Sequence, residues 1–155
     1  EESVKGEPTP RMTNLNIQVE CEKRFDSEKE GLKILIEEVK KRGQEYGLIF
    51  EEYIKGETQS ETGQFMYIPK KAYKVYVDGK IVPIRNVMAI FNPQQSCDNI
   101  IASSYYRRKN RGYCGKEEGE VRVSDLAPDV IMCGVEINRV KPNRLKGTII
   151  EKPKT

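Results

Sequence analysis

Residues 73–84 read Tyr73-Lys74-Val75-Tyr76-Val77-Asp78-Gly79-Lys80-Ile81-Val82-Pro83-Ile84. Tyr73, Val75 and Val77 recur at every second position, Asp78-Gly79 breaks the run, and Ile81, Val82 and Ile84 resume it. An Asp-Gly pair between two apolar alternations is a strong short-range signal for a β-hairpin with a type I′ turn, which needs positive φ at both central residues. Pro83 cannot donate to a ladder, so it belongs at a sheet edge or a bulge.

The period of two extends in both directions from this hairpin. Upstream, Tyr46, Leu48, Phe50 and Ile54 alternate with an interruption at Glu52, and Phe65 and Tyr67 begin another alternation. Downstream, Val87–Phe91, Val121–Val123, Val130–Cys133 and Val135–Val140 read as further strands. One segment has the period of a helix. Ser27 with Glu30 forms a capping box, and Leu32, Leu35, Ile36 and Val39 fall on one face. Lys40, Lys41 and Arg42 suit the negative end of the helix dipole, and Gly43 supplies the residue that stops it. The expectation is a mainly β domain with one or two helices and seven to nine strands, built as an antiparallel sandwich or barrel.

The chain has 155 residues, the size of one domain. Charged residues make up 33 % against a usual ~25 %, so the surface is strongly polar without a disordered composition. The 27 basic and 24 acidic residues leave a net charge of +3, too little for a general field attracting nucleic acid or membrane. No run approaches the ~18 apolar residues of a membrane span, and EESVKGEP carries no apolar signal region. A cytoplasmic protein with no membrane partner is expected. Residues 1–10 read as an arm or linker from an upstream segment, residues 11–150 as the β-rich domain, and 151–155 as a polar tail.

Histidine is absent. Chemistry that needs an imidazole as base or metal ligand cannot be completed by this chain. Cys21, Cys97, Cys114 and Cys133 form no CxxC pair, so a zinc knuckle is not indicated and reduced thiols are expected.

Two segments invite a chemical reading. Pro10-Arg11-Met12-Thr13-Asn14 ends the arm; on its own it suits an irregular strand entry. The stretch from Tyr105 to Lys116, YYRRKNRGYCGK, mixes three tyrosines and five cations around one cysteine. Three readings stay open for it. It can be a solvated loop, it can bind single-stranded nucleic acid through phosphate pairing and base stacking, or it can offer Cys114 to a metal. For the last, Gly112 and Gly115 leave room for close approach, and Arg111 and Lys116 favour the thiolate.

Taken together and in order, these segments resemble the C-terminal part of the TldD/PmbA family of zinc peptidases. Pro10-Arg11-Met12-Thr13-Asn14 is similar to that family's P-R-M-[ST]-N. Tyr46-Gly47-Leu48-Ile49, Gly63-Gln64-Phe65, Ala72-Tyr73 with Asp78-Gly79-Lys80, and Val82-Pro83-Ile84-Arg85-Asn86 follow in the family's sequence, and Pro128 suits its final strand segment. Gly112-Tyr113-Cys114-Gly115-Lys116 resembles the G-x-C-G-K of the TldD-like branch, although the family's Gly-Gln ending appears here as Gly119-Glu120. The similarity covers residues 8–140.

The resemblance implies a C-terminal domain of a zinc metallopeptidase acting on extended peptides. In that family an upstream HExxxH helix gives two histidine ligands and a catalytic Glu, and the cysteine of C-G-K gives the third ligand, leaving an open position for water. Cys114 matches that ligand. Gly112, Gly115, Lys116 and Arg11 would line the site. No catalytic residue is expected in this chain, the fragment alone should bind no zinc and be inactive, and zinc belongs to the complete protein. A homodimer or a TldD/PmbA-type heterodimer is the implied assembly. The alternatives are a non-catalytic PmbA-like partner or scaffold subunit and, from a different class, a nucleic-acid-binding β domain using Tyr105, Tyr106 and Arg107–Arg111.

Overall fold

The expected hairpin is present, with a different turn. The computed structural model describes residues 13–59, 61–116 and 119–140. Val75 pairs with Ile81, and Tyr76 donates its N–H to the Lys80 carbonyl at 2.9 Å. Between them lie Val77, Asp78 and Gly79, of which Gly79 alone has positive φ, at 88°. The loop is therefore a three-residue one with glycine in the left-handed position, not the two-residue type I′ turn. The Asp78 carboxylate accepts from the Lys80 N–H at 2.9 Å, so local side-chain bonding favours the longer loop.

The described chain runs β1 (Leu15–Asn16), β2 (Lys23–Phe25), α1 (Glu28–Lys41), β3 (Tyr46–Thr58), β4 (Phe65–Tyr76), β5 (Ile81–Ile84), β6 (Val87–Phe91), α2 (Pro93–Asp98), β7 (Ile100–Lys116), β8 (Gly119–Met132) and β9 (Glu136–Arg139). These strands form two sheets, in the orders β1-β8-β7-β2 and β3-β4-β6-β9, with β5 also on β4. The domain is mainly β and neither sheet closes into a barrel. Most pairings are antiparallel, but β1 joins β8 and β2 joins β7 in parallel. A parallel neighbour needs a long crossover, and between β2 and β7 strands β3 to β6 and both helices provide it. The sequence alone does not signal these two joins, because strands of two and three residues carry no period. Among the described residues no helix is long and apolar enough to cross a membrane. The arm at 1–10 and the tail at 151–155 lie outside the described residues.

In the second sheet β5 and β6 continue one another along β4 in a single register, Ala72 facing Ile84 and Tyr67 facing Ala89. The ladder opens between them beside Pro69, which has no N–H to give, and Asn86 takes φ 59° at the break. Pro83 sits in β5, a short strand bonded to β4 alone, as its missing donor requires. The interruption at Glu52 is equally physical. Glu52 has φ 53°, and the register with β4 slips between Tyr53 and Lys55. The Tyr67 hydroxyl donates to the Glu52 carbonyl at 2.7 Å, while Lys70 and Lys71 bond its carboxylate at 2.7 and 2.9 Å and hold its pKa down to about 2.

Helix α1 follows its sequence signals closely. Ser27 Oγ accepts from the Glu30 N–H, Glu30 reaches back to the Asp26 N–H at 2.8 Å, and Gly43 has φ 63°. Gln44 N–H to Val39 O and Gly43 N–H to Lys40 O complete a Schellman motif. The helix touches β3 of one sheet and β2 and β7 of the other, so it joins the two sheets. Phe25, Val39, Ala72, Val75, Ala89, Ala102 and Val123 are buried, with Ser103 and Ser104 among them. This core is made of small residues. Ser104 stays satisfied by donating to the Tyr106 carbonyl at 2.6 Å and accepting from the Asp129 N–H at 2.9 Å.

Candidate metal-ligand site on the β7–β8 hairpin

The stretch YYRRKNRGYCGK is not a solvated loop. It forms most of β7, paired residue by residue with β8 from Arg107↔Pro128 to Lys116↔Gly119. Strand alternation then sorts its side chains. Asn110, Gly112 and Cys114 share one face with their partners Asp125, Val123 and Val121. Arg111, Tyr113 and Gly115 share the other with Ser124, Arg122 and Glu120.

Cys114 is half-buried and lies directly across from Val121, which is 42 % exposed. The same face carries the buried Val123 beside Gly112. All four cysteines are thiols, as the sequence suggests. Cys21 donates to Ser103 Oγ at 3.3 Å and Cys133 to the Asn99 carbonyl at 3.7 Å.

The two glycines have different roles. A Cβ on Gly112 would lie 2.6 Å from the Tyr53 hydroxyl, because β3 of the second sheet crosses here. Tyr53 also donates to the Arg111 carbonyl at 3.4 Å. A Cβ on Gly115 would meet only Glu120 Cγ at 3.9 Å, an ordinary contact, so packing does not demand glycine there. Arg111 faces away from Cys114, since residues three apart on a strand point to opposite sides; it is not the cation beside the thiol that sequence proximity suggests. Lys116 is the last residue of β7, and Arg11 lies outside the described residues.

The tyrosine-arginine cluster is similarly divided. The Tyr106 hydroxyl donates to Asp129 at 2.9 Å and its ring meets Phe25 edge-on at 6.1 Å; burial, with Asp129 next, raises its pKa. Arg108 is held by Asp129 at 2.9 Å and by Glu28 at 2.6 Å, contacts that raise its pKa further. The Arg24 guanidinium lies 4.6 Å over the Tyr105 ring. These four groups are occupied in holding α1 and β2 against β7 and β8. Tyr53, Val121 and Arg122 were not foreseen around this site, because the hairpin register brings Val121 and Arg122 there and the approach of the second sheet brings Tyr53.

Among the described residues no group of three or more His, Cys, Asp or Glu side chains could hold a metal ion. Among the described residues the donor set at Cys114 is one thiolate, so a zinc site using it would take its other ligands from outside the described residues. The domain is mainly β, built of two sheets, with Cys114 on a glycine-flanked strand. The family model for the PmbA/TldA metallopeptidase C-terminal domain matches residues 1–139. The chain belongs to that family, as its metallopeptidase C-terminal domain. No curated protein sequence matches it.

Proposed function

We propose that this domain supplies Cys114 as one thiolate ligand to the zinc centre of a TldD-like peptidase, the histidine ligands and the catalytic Glu coming from an HExxxH segment outside this sequence. The observation that carries the reading is the position of Cys114. It is neither in the core nor in a disulfide, and it stands across from the exposed Val121 at the outer end of the hairpin. Zinc bound there would polarise a peptide carbonyl and acidify its water. This chain's own part is to hold the thiolate on a rigid two-stranded platform, with Tyr53 fixing the distance between that platform and the second sheet. The substrate is an extended peptide, the cell compartment cytoplasmic, and the working assembly a homodimer or a heterodimer of TldD and PmbA type. The presence of Cys-Gly-Lys favours the peptidase branch over a non-catalytic PmbA-like role.

The test is zinc content and peptidase activity of a protein containing this domain and the HExxxH segment. Cys114→Ala should lose both, while the present chain alone should carry no stoichiometric zinc. Retention of full zinc and activity by the mutant removes Cys114 from the site.

A further inference from the structure

The β7–β8 hairpin changes register where its buried root meets its exposed outer arm. Ser103 faces Val130 and Arg107 faces Pro128, so Ser104, Tyr105 and Tyr106 stand against Asp129 alone. A bulge of this kind bends its strand and increases the local twist. Pro128, with no N–H to give, forms its outer rim. Ser103 and Ser104 on the inner side are fully buried, while Arg107 to Arg111 beyond it are exposed.

The polar groups displaced by the bulge gather around Asp129. Its N–H donates to Ser104 Oγ at 2.9 Å, and that hydroxyl donates to the Tyr106 carbonyl at 2.6 Å. Its carboxylate accepts from the Tyr106 hydroxyl and from Arg108 Nε, both at 2.9 Å, and Arg108 reaches on to Glu28 at the start of α1. Asp129 thereby joins the bulge to the first residues of the outer arm. Beyond it the register runs unbroken from Arg107↔Pro128 to Cys114↔Val121. The strand from Arg107 to Cys114 is ~24 Å long, so a turn of about 10° at its root would carry the cysteine by ~4 Å. That exceeds a zinc–sulfur bond of ~2.3 Å. Tyr53 restrains the arm near Gly112 through one long bond of 3.4 Å to the Arg111 carbonyl, whereas Asp129 restrains the root through several shorter ones. We propose that Asp129 is a positioning residue, closing the bulge so that the outer arm leaves the domain at one angle and delivers Cys114 to the composite metal site. The consequence for metal rests on the reading of Cys114 as a zinc ligand; the angle itself does not.

Residual dipolar couplings of the backbone amides of this chain read that angle. Asp129→Asn keeps the side chain's shape and its N–H but removes the carboxylate that holds Tyr106 and Arg108. In this variant the amides of 107–123 should no longer share one alignment frame with those of α1, although each set still fits a frame of its own. Tyr106→Phe, which keeps the ring against Phe25, should show a smaller shift in the same direction, and it decides the matter if Asp129→Asn does not fold. Simple destabilisation would lower the melting temperature and leave the frame of the folded molecules unchanged; an unchanged frame overturns the proposal. In a protein that also contains the HExxxH segment, Asp129→Asn should lower zinc affinity at least about tenfold in chelator competition. An unchanged affinity beside a shifted frame overturns the link to Cys114. If Cys114→Ala itself leaves zinc affinity unchanged, the ligand reading fails, and the couplings still judge Asp129.

Discussion

Tyr53 on β3 and Gly112 on β7 meet where the two sheets approach beside the cysteine strand, the Tyr53 hydroxyl occupying the space a Cβ on Gly112 would enter. The hydroxyl's bond to the Arg111 carbonyl is long, at 3.4 Å, and Tyr53 is 48 % exposed, so the contact positions more than it stabilises. Gly112→Ala should push the Tyr53 ring aside at a cost below ~1 kcal/mol in urea unfolding, because the displaced atom is the end of a flexible side chain. In the complete protein the same change should lower peptidase activity more than stability, and Tyr53→Phe should do so less. A stability loss of several kcal/mol would show that the glycine is held by backbone rather than by Tyr53.

Gly31 gives the opposite lesson about glycine. It lies inside α1, where alanine is normally favoured by ~1 kcal/mol. A Cβ there would meet the buried Phe25 ring at 3.0, 3.1 and 3.3 Å. Gly31→Ala should therefore fail to raise the melting temperature, and thermal unfolding of the variant checks this directly. A clear rise would mean that Phe25 can move without loss.

The break between β5 and β6 turns on Asn86. Its left-handed backbone suits Asn and Gly and costs other residues ~1–2 kcal/mol. Its carbonyl also accepts from the Val140 N–H at 2.8 Å, tying the end of β9 to the break. Asn86→Gly should leave stability nearly unchanged, and Asn86→Ala should lower it by about 1 kcal/mol in denaturant titration. Equal effects of the two would remove the backbone conformation as the cause.

Glu38 is the buried charge of the helix interface, its side chain 9 % exposed and bonded by Lys23 at 3.1 Å. That bond, assisted by Lys41 and Arg42 and opposed by burial, lowers its pKa. A carboxylate with a lowered folded pKa stabilises fully above its unfolded value of ~4.3 and loses that stabilisation as pH falls through the folded value. Stability should thus decline below about pH 4.3, and Glu38→Gln should flatten that decline while costing up to ~1 kcal/mol at neutral pH. An unchanged acid slope in Glu38→Gln would assign acid sensitivity to other carboxylates.

What could be read without coordinates follows from where burial is one-sided. The α1 caps, the Asp78-Gly79 hairpin and the edge place of Pro83 are local features, each dictated by residues within a few positions, and they stand as expected apart from the turn's length. β7 and β8 were harder. Arg107 to Gly115 is exposed apart from Gly112 and Cys114, so it shows no apolar alternation and imitates a loop. The glycine-flanked segment around Cys114 was legible as a segment. Its neighbours were not, because Val121 reaches it through a hairpin register and Tyr53 reaches Gly112 from the other sheet.

The thiols offer a last check that separates a surface ligand from a structural cysteine. Cys97 is exposed, while Cys21, Cys114 and Cys133 are half-buried. Alkylation followed by peptide mapping should modify Cys97 first, because access as well as thiolate fraction governs the rate. Zinc should leave Cys114 labelling unchanged in this chain, since one donor does not hold the ion, and should suppress it once an HExxxH-bearing segment is present. Protection of Cys114 by zinc in the chain alone would mean that ligands within this sequence suffice. Failure of zinc to protect it in the combined protein would leave Gly112-Tyr113-Cys114-Gly115 a structural strand with no part in metal binding.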